Sequence, residues 1–212
     1  MKDMRDIINN KSISSVLLLL CLAVFIFLIP LFTFRAHIVS VVLLSAIILL
    51  AGYSISTRVT QVAIATILVE LSTSATDFIY LNYFAELFTN IFFIYIVIRV
   101  ILDLLHRKEV DIYALVDAIN GYLLIGLMFC SLVAFVDLYA PGSYNSTADS
   151  KMELVYYTMI TLTTAGYGDI TPQLPLAQSL SMLIAVTGQF YVAVIVAILV
   201  GKFSSLNTKE KN

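Results

Sequence analysis

Six stretches of this chain are apolar over close to the length that a lipid bilayer demands. A helix crossing the hydrocarbon core needs about 20 largely apolar residues. The candidates are residues 13–34, with Pro30 near the far end, 38–56, 59–75, 80–105, 112–139 and 175–203. Gln61 and Glu70 weaken the third, and the fifth exceeds a simple span. The composition points the same way: 60% of residues are hydrophobic and 12% charged, with a mean hydropathy of +0.98. Soluble domains average about 25% charged. A water-soluble fold of this size cannot hide so much apolar surface, so lipid is the expected solvent for most of the chain. A signal peptide is the alternative for the first stretch, but an apolar core of about 7–15 residues is usual there. Residues 13–34 are longer, which predicts a retained membrane helix.

Basic residues between the stretches predict an orientation, because cytoplasmic connections collect Lys and Arg. One set of connections holds Lys2, Arg5, Lys11, Arg58, Arg107, Lys108, Lys202, Lys209 and Lys211. The opposite set holds Arg35 and Lys151, and Arg99 lies within a span. This asymmetry places both termini in the cytoplasm of a cell-membrane protein. That requires an even number of crossings, and six satisfies it.

Residues 140–174, between the fifth and sixth stretches, break the pattern. Pro141-Gly142-Ser143-Tyr144-Asn145-Ser146 is rich in turn formers. Met152 to Thr163 reads as a helix too short to span. Thr164-Ala165-Gly166-Tyr167-Gly168-Asp169 and Thr171-Pro172 follow. Non-helical backbone at membrane depth is tolerated only where protein or water covers it. Glycine adopts backbone angles closed to other residues. Gly166 and Gly168 can therefore let successive carbonyls point one way and line a narrow file of dehydrated cations. A closed ring of carbonyls needs several loops, and the pattern occurs once here. About four chains around an axis, a homotetramer in membrane lipid, are thus expected.

The segment resembles the selectivity filter of potassium channels, whose usual core is Thr-Val-Gly-Tyr-Gly. Ala165 stands where the family carries Val. The resemblance is strong over about residues 150–203 and architectural before that, where four helices precede the pore module as in the six-helix voltage-gated-like superfamily, prokaryotic type. It implies potassium ions held by carbonyls of Thr164, Ala165, Gly166 and Tyr167, with the Thr164 hydroxyl adding a lower ring and Gly168 completing the loop. It implies Tyr167 as a spacer behind the loop. Tyr156 and Tyr157 match paired aromatics behind the filter, and Tyr156 is placed to hydrogen-bond Asp169. They are alternatively interfacial packing residues. Ile160 stands where related channels can carry a bracing carboxylate. Gly188, nineteen residues beyond Asp169, has the spacing of the family's hinge glycine; the alternative is that it only permits close helix contact. Below it, Ala193, Val194, Val196, Ala197, Leu199 and Val200 offer a hydrophobic constriction. Gly201 is a second flexible point or a helix terminator.

The front half lacks a strong voltage sensor. Every third residue of the fourth stretch, through Asn90, Phe93, Ile96, Arg99 and Leu102, gives one basic side chain. One charge crossing the membrane is worth about 2.3 kcal/mol per 100 mV, so even four copies fall short of the tens that steep gating draws on. Arg99 needs a partner at membrane depth, and Glu70, Asp103 and Glu86 are the candidates. His37 and His106 are far apart, without metal-ligand spacing. Cys21 and Cys130 sit in apolar runs. Asn145-Ser146-Thr147 matches a glycosylation acceptor. Nothing suggests a nucleic-acid partner, an organic cofactor or an enzyme.

These observations predict an all-α membrane protein: six transmembrane helices, a re-entrant pore helix and a selectivity-filter loop, assembled as a tetramer. Residues 1–108 are expected to form a four-helix sensor-like domain, 109–206 a pore domain and 207–212 a short cytoplasmic tail. The expected function is passive potassium conduction with weak or absent voltage gating. A poorly selective monovalent cation channel, a potassium-transporter subunit and a non-conducting modulatory subunit are the alternatives.

Overall fold

The computed structural model describes residues 2–28, 36–55, 57–74, 79–106, 112–146 and 151–209. They form seven α-helices, with no strand among the described residues. These are α1 (Lys2–Ala23), α2 (Ala36–Ile55), α3 (Thr57–Ser74), α4 (Ile79–His106), α5 (Ile112–Tyr139), α6 (Lys151–Leu162) and α7 (Pro175–Lys209). A π-helical turn, Val24–Leu28, follows α1. Among the described residues three helices are long and apolar enough to cross a membrane, over Leu87–Leu104, Tyr113–Tyr139 and Pro175–Ile195. The other expected spans contain shorter apolar helical stretches among the described residues, Ile13–Leu28, Val42–Tyr53 and Val59–Val69. Pro30 and residues 31–34 of the first lie outside the described residues.

Two helix ends differ from the sequence expectation. α1 begins at Lys2, well before the apolar run. Its first turns, Lys2-Asp3-Met4-Arg5-Asp6, hold no Gly or Pro, so nothing interrupts the helix that the apolar run propagates. α7 likewise continues past Phe203 to Lys209. No breaker stands there either, and residues 207–209 of the expected tail are helical.

The chain divides into two compact units, one of residues 1–104 with 111–124 and the other of 105–110 with 125–212. In the first, α2 packs against both α1 and α3. Leu22, Ile47, Ala51 and Ala63 are buried there. Gly52 permits close approach of α2 to α3: a Cβ on it would stand 3.3 Å from the Thr60 Cα. The start of α5 is tied to α1 by a bond from Asn120 Nδ2 to the Ser15 carbonyl at 2.8 Å. On α4, Asn90, Phe93 and Ile96 of the sensor register are buried, whereas Arg99 and Leu102 are exposed. No ion pair joins Arg99 to Asp103 among the described residues. The Glu70 and Glu86 side chains lie outside them.

In the second unit α6 packs against α7. The buried faces include Phe129, Val133 and Val136 of α5, Leu154, Tyr157 and Leu162 of α6, and Ala177 and Ile184 of α7. α6 carries Glu153 in its first turn, where a carboxylate is favoured by the helix dipole. α7 opens with Pro175, whose missing N–H and fixed φ suit a first helical position. Met182, Leu183, Val186 and Phe190 of α7 are exposed, an apolar surface suited to lipid or further protein.

Candidate functional site

The loop after α6 is set by how that helix ends. Thr163 and Thr164 continue its hydrogen bonding, Thr163 N to the Met159 carbonyl at 3.0 Å and Thr164 N to the Thr161 carbonyl at 3.0 Å. Thr164 then turns left-handed with φ 60°, the conformation that stops helices at the position after the cap. Glycine usually fills that position; a β-branched residue there is an outlier.

Left-handed residues recur at every second position. Gly166 has φ 51° and Gly168 φ 79°, while Ala165 and Tyr167 have no positive φ. Alternating hand is the backbone pattern by which nests gather successive N–H groups on one side of a chain. The loop is anchored to α6 through Gly166 N, which donates to the Ile160 carbonyl at 3.1 Å. Ile160 supplies no carboxylate brace, yet its backbone anchors the loop. Residues 163–169 are all exposed, with Tyr167 at 74%. An exposed loop beside the C-terminal end of a helix dipole is a surface suited to a cation.

The far end of the loop is held by Asp169. Tyr156 Oη donates to Asp169 Oδ2 at 2.7 Å, and Asp169 Oδ1 accepts from Ile170 N at 3.1 Å. The hydrogen bond from Tyr156 holds the Asp169 carboxyl below the usual carboxylate range. The same bond, with Asp169's charge, pushes the Tyr156 hydroxyl up. Beyond Asp169 the chain is strapped to the turn after α5. Tyr144 and Pro172 form an antiparallel bridge. Asn145 N donates to the Thr171 carbonyl at 3.2 Å and Gln173 N to the Ser143 carbonyl at 2.8 Å. Asn145 Oδ1 accepts from Thr171 N at 2.5 Å, so half of the side-chain amide in the glycosylation-like triplet is already engaged.

Tyr157 points inward. It is 3% exposed, its hydroxyl bonds the Ser181 hydroxyl of α7, and its ring stands 5.0 Å from that of Tyr144. Tyr144 is buried and its hydroxyl has no hydrogen-bond partner among the described residues. Burial pushes that hydroxyl up, and Tyr157 and Asp137 add to it.

Gly188 is buried where α7 crosses the end of α6. A Cβ built on it would collide with the Leu162 carbonyl oxygen and stand 3.0 Å from the Leu162 carbonyl carbon. Close contact between helices is therefore one reason for glycine at this position. The next residue, Gln189, donates from Nε2 to Thr164 Oγ1 at 3.0 Å. Sequence reasoning does not mark Gln189, Ser181 or the Leu162 carbonyl. An amide in the middle of a largely apolar helix was the available signal for Gln189. The candidate constriction residues Ala193, Val194 and Ala197 are exposed; the Val196, Leu199 and Val200 side chains lie outside the described residues.

Residues 121–205 match a family model described as an ion channel. The match takes in most of α5, all of α6, the loop and most of α7, and it supports ion channel activity rather than enzymatic chemistry. No curated protein matches the chain, and no solved structure does.

Proposed function

We propose that this chain is a subunit of a homotetrameric potassium channel with six transmembrane helices and both termini in the cytoplasm of a cell-membrane protein. The carrying observation is positive φ at 164, 166 and 168, on a loop anchored to α6 by the Gly166 amide. Four such loops around an axis would stack rings of carbonyl oxygens from Thr164, Ala165, Gly166 and Tyr167. Potassium ions shed water at these rings and leave by mutual repulsion. The ion-channel family match over residues 121–205 supports conduction, and the potassium preference is inferred from the filter-like residues. Asp169 and Tyr156 brace the outer end of the loop, and Gly188 seats the inner helix. A single basic residue in the sensor register supports weak or absent voltage dependence.

The test is reconstitution of the purified chain alone in planar bilayers. A reversal potential tracking the potassium gradient, with sodium contributing little, is expected. Absence of current from the lone chain overturns conduction by this protein. Equal permeation of sodium and potassium favours the poorly selective channel, a reading that Ala165 supports because it offers less branched volume around the loop than Val.

A further inference from the structure

We infer that Gln189 is a positioning residue for the innermost cation ring, setting how tightly the Thr164 hydroxyls hold an ion there. The inference rests on the potassium-channel reading above and deepens it.

A threonine hydroxyl has one proton and two lone pairs. Thr164 spends the proton on the Thr163 carbonyl at 2.7 Å. Gln189 Nε2 donates into one lone pair at 3.0 Å. One lone pair per subunit is left for a cation. A hydroxyl that already accepts a hydrogen bond is a poorer ligand than one with both lone pairs open, so Gln189 makes the innermost ring shallower. Ions then exchange faster with the cytoplasmic solution. The two bonds also fix the hydroxyl on a residue whose φ of 60° persists only where its surroundings over-determine it.

The placement follows from the neighbouring residue. Gly188 lets α7 lie against the Leu162 carbonyl with no Cβ between them. That brings the next side chain within reach of Thr164, two residues beyond Leu162. A longer residue at 188 would lift Gln189 from the loop.

The experiment compares full-length wild type with Gln189→Met, close in length but without the N–H donors, and Gln189→Asn, an amide one methylene short. Steady current is recorded in bilayers against internal and, separately, external potassium. Both variants should lower the half-saturating internal potassium by about fivefold, the worth of one hydrogen bond, with a smaller change on the external side. In a Thr164→Ala background the Gln189 substitutions should have no further effect, since the acceptor is gone. An unchanged internal half-saturation in both variants, or an equal shift in the Thr164→Ala background, overturns the assignment while leaving the channel reading intact. A wild-type chain that passes no potassium current removes both.

Discussion

Tyr156 Oη and Asp169 Oδ2 stand 2.7 Å apart, joining the middle of α6 to the residue that closes the glycine-containing loop. Each partner's titration reports the bond. Asp169 is held below the usual carboxylate range, so the stabilisation is present above its unfolded value and is lost as pH falls through the lowered one. Tyr156 is raised, so the same bond holds below the usual phenol value and is lost as pH climbs through the raised one. Tyr156→Phe removes the donor. Asp169 should then titrate at higher pH, and outward acidification should disable the current earlier than in wild type. Current decay against external pH measures it; superimposable curves contradict the role given to this pair.

Gly188 and Gly201 provide a controlled contrast within α7. Among the described residues nothing lies within 4 Å of a Cβ built on Gly201, and Gly→Ala in an open helix position gains up to about 1 kcal/mol in propensity. Gly188→Ala has the same propensity gain but meets a backbone oxygen, and overpacking costs about 1–3 kcal/mol. Thermal unfolding in detergent should show Gly201→Ala at or above wild type and Gly188→Ala below it. Equal stabilisation of both would mean that the α6–α7 contact is looser than described. Loss of open probability in Gly188→Ala does not by itself report a hinge, because the substitution also pushes on α6.

Tyr144→Phe should raise stability. The buried hydroxyl lacks a partner among the described residues, and leaving such a group unsatisfied costs about 1–3 kcal/mol. Its ring contact with Tyr157 survives the change. A melting temperature below wild type would reveal a bond that the hydroxyl makes.

Gly166→Ala tests backbone hand in isolation. Among the described residues nothing lies within 4 Å of a built Cβ, so the penalty within a subunit is the left-handed conformation, about 1–2 kcal/mol. Potassium selectivity should fall steeply in reversal-potential measurements while each subunit still folds. Wild-type selectivity in this variant would detach the glycine from the ion path.

Ala165→Val adds branched volume to a residue that has no positive φ and tolerates a side chain. The potassium-over-sodium permeability ratio should rise, and slow loss of current under maintained drive should lessen. A ratio unchanged from wild type would show that packing at 165 does not limit discrimination.

The sequence made the helices legible through apolar length and the loop through its two glycines. Helix ends were less so. The polar start Lys2-Asp3-Met4-Arg5 gives no burial signal, yet it lacks any breaker, and α1 runs through it. The left-handed Thr164 was hidden because β-branched residues disfavour that region; its hydroxyl is held by a local bond to the Thr163 carbonyl and a tertiary one from Gln189. The contacts Gln189–Thr164, Tyr157–Ser181 and Gly188–Leu162 join positions 24 to 26 apart in the chain, a separation at which periodicity carries no information. Tyr156 and Asp169 were legible as a pair through the resemblance to potassium channels, which places paired aromatics at 156 and 157 behind the loop.

The loop is tethered at its start through Thr164 to α7 and at its end through Asp169 to α6. Four residues separate these two pegs, and an extended chain spans at most about 3.3–3.6 Å per residue. Such a short string has little slack. A shift of either helix must be taken up as tension or sag among residues 165–168, so this exposed segment also works as a strain gauge between two helices.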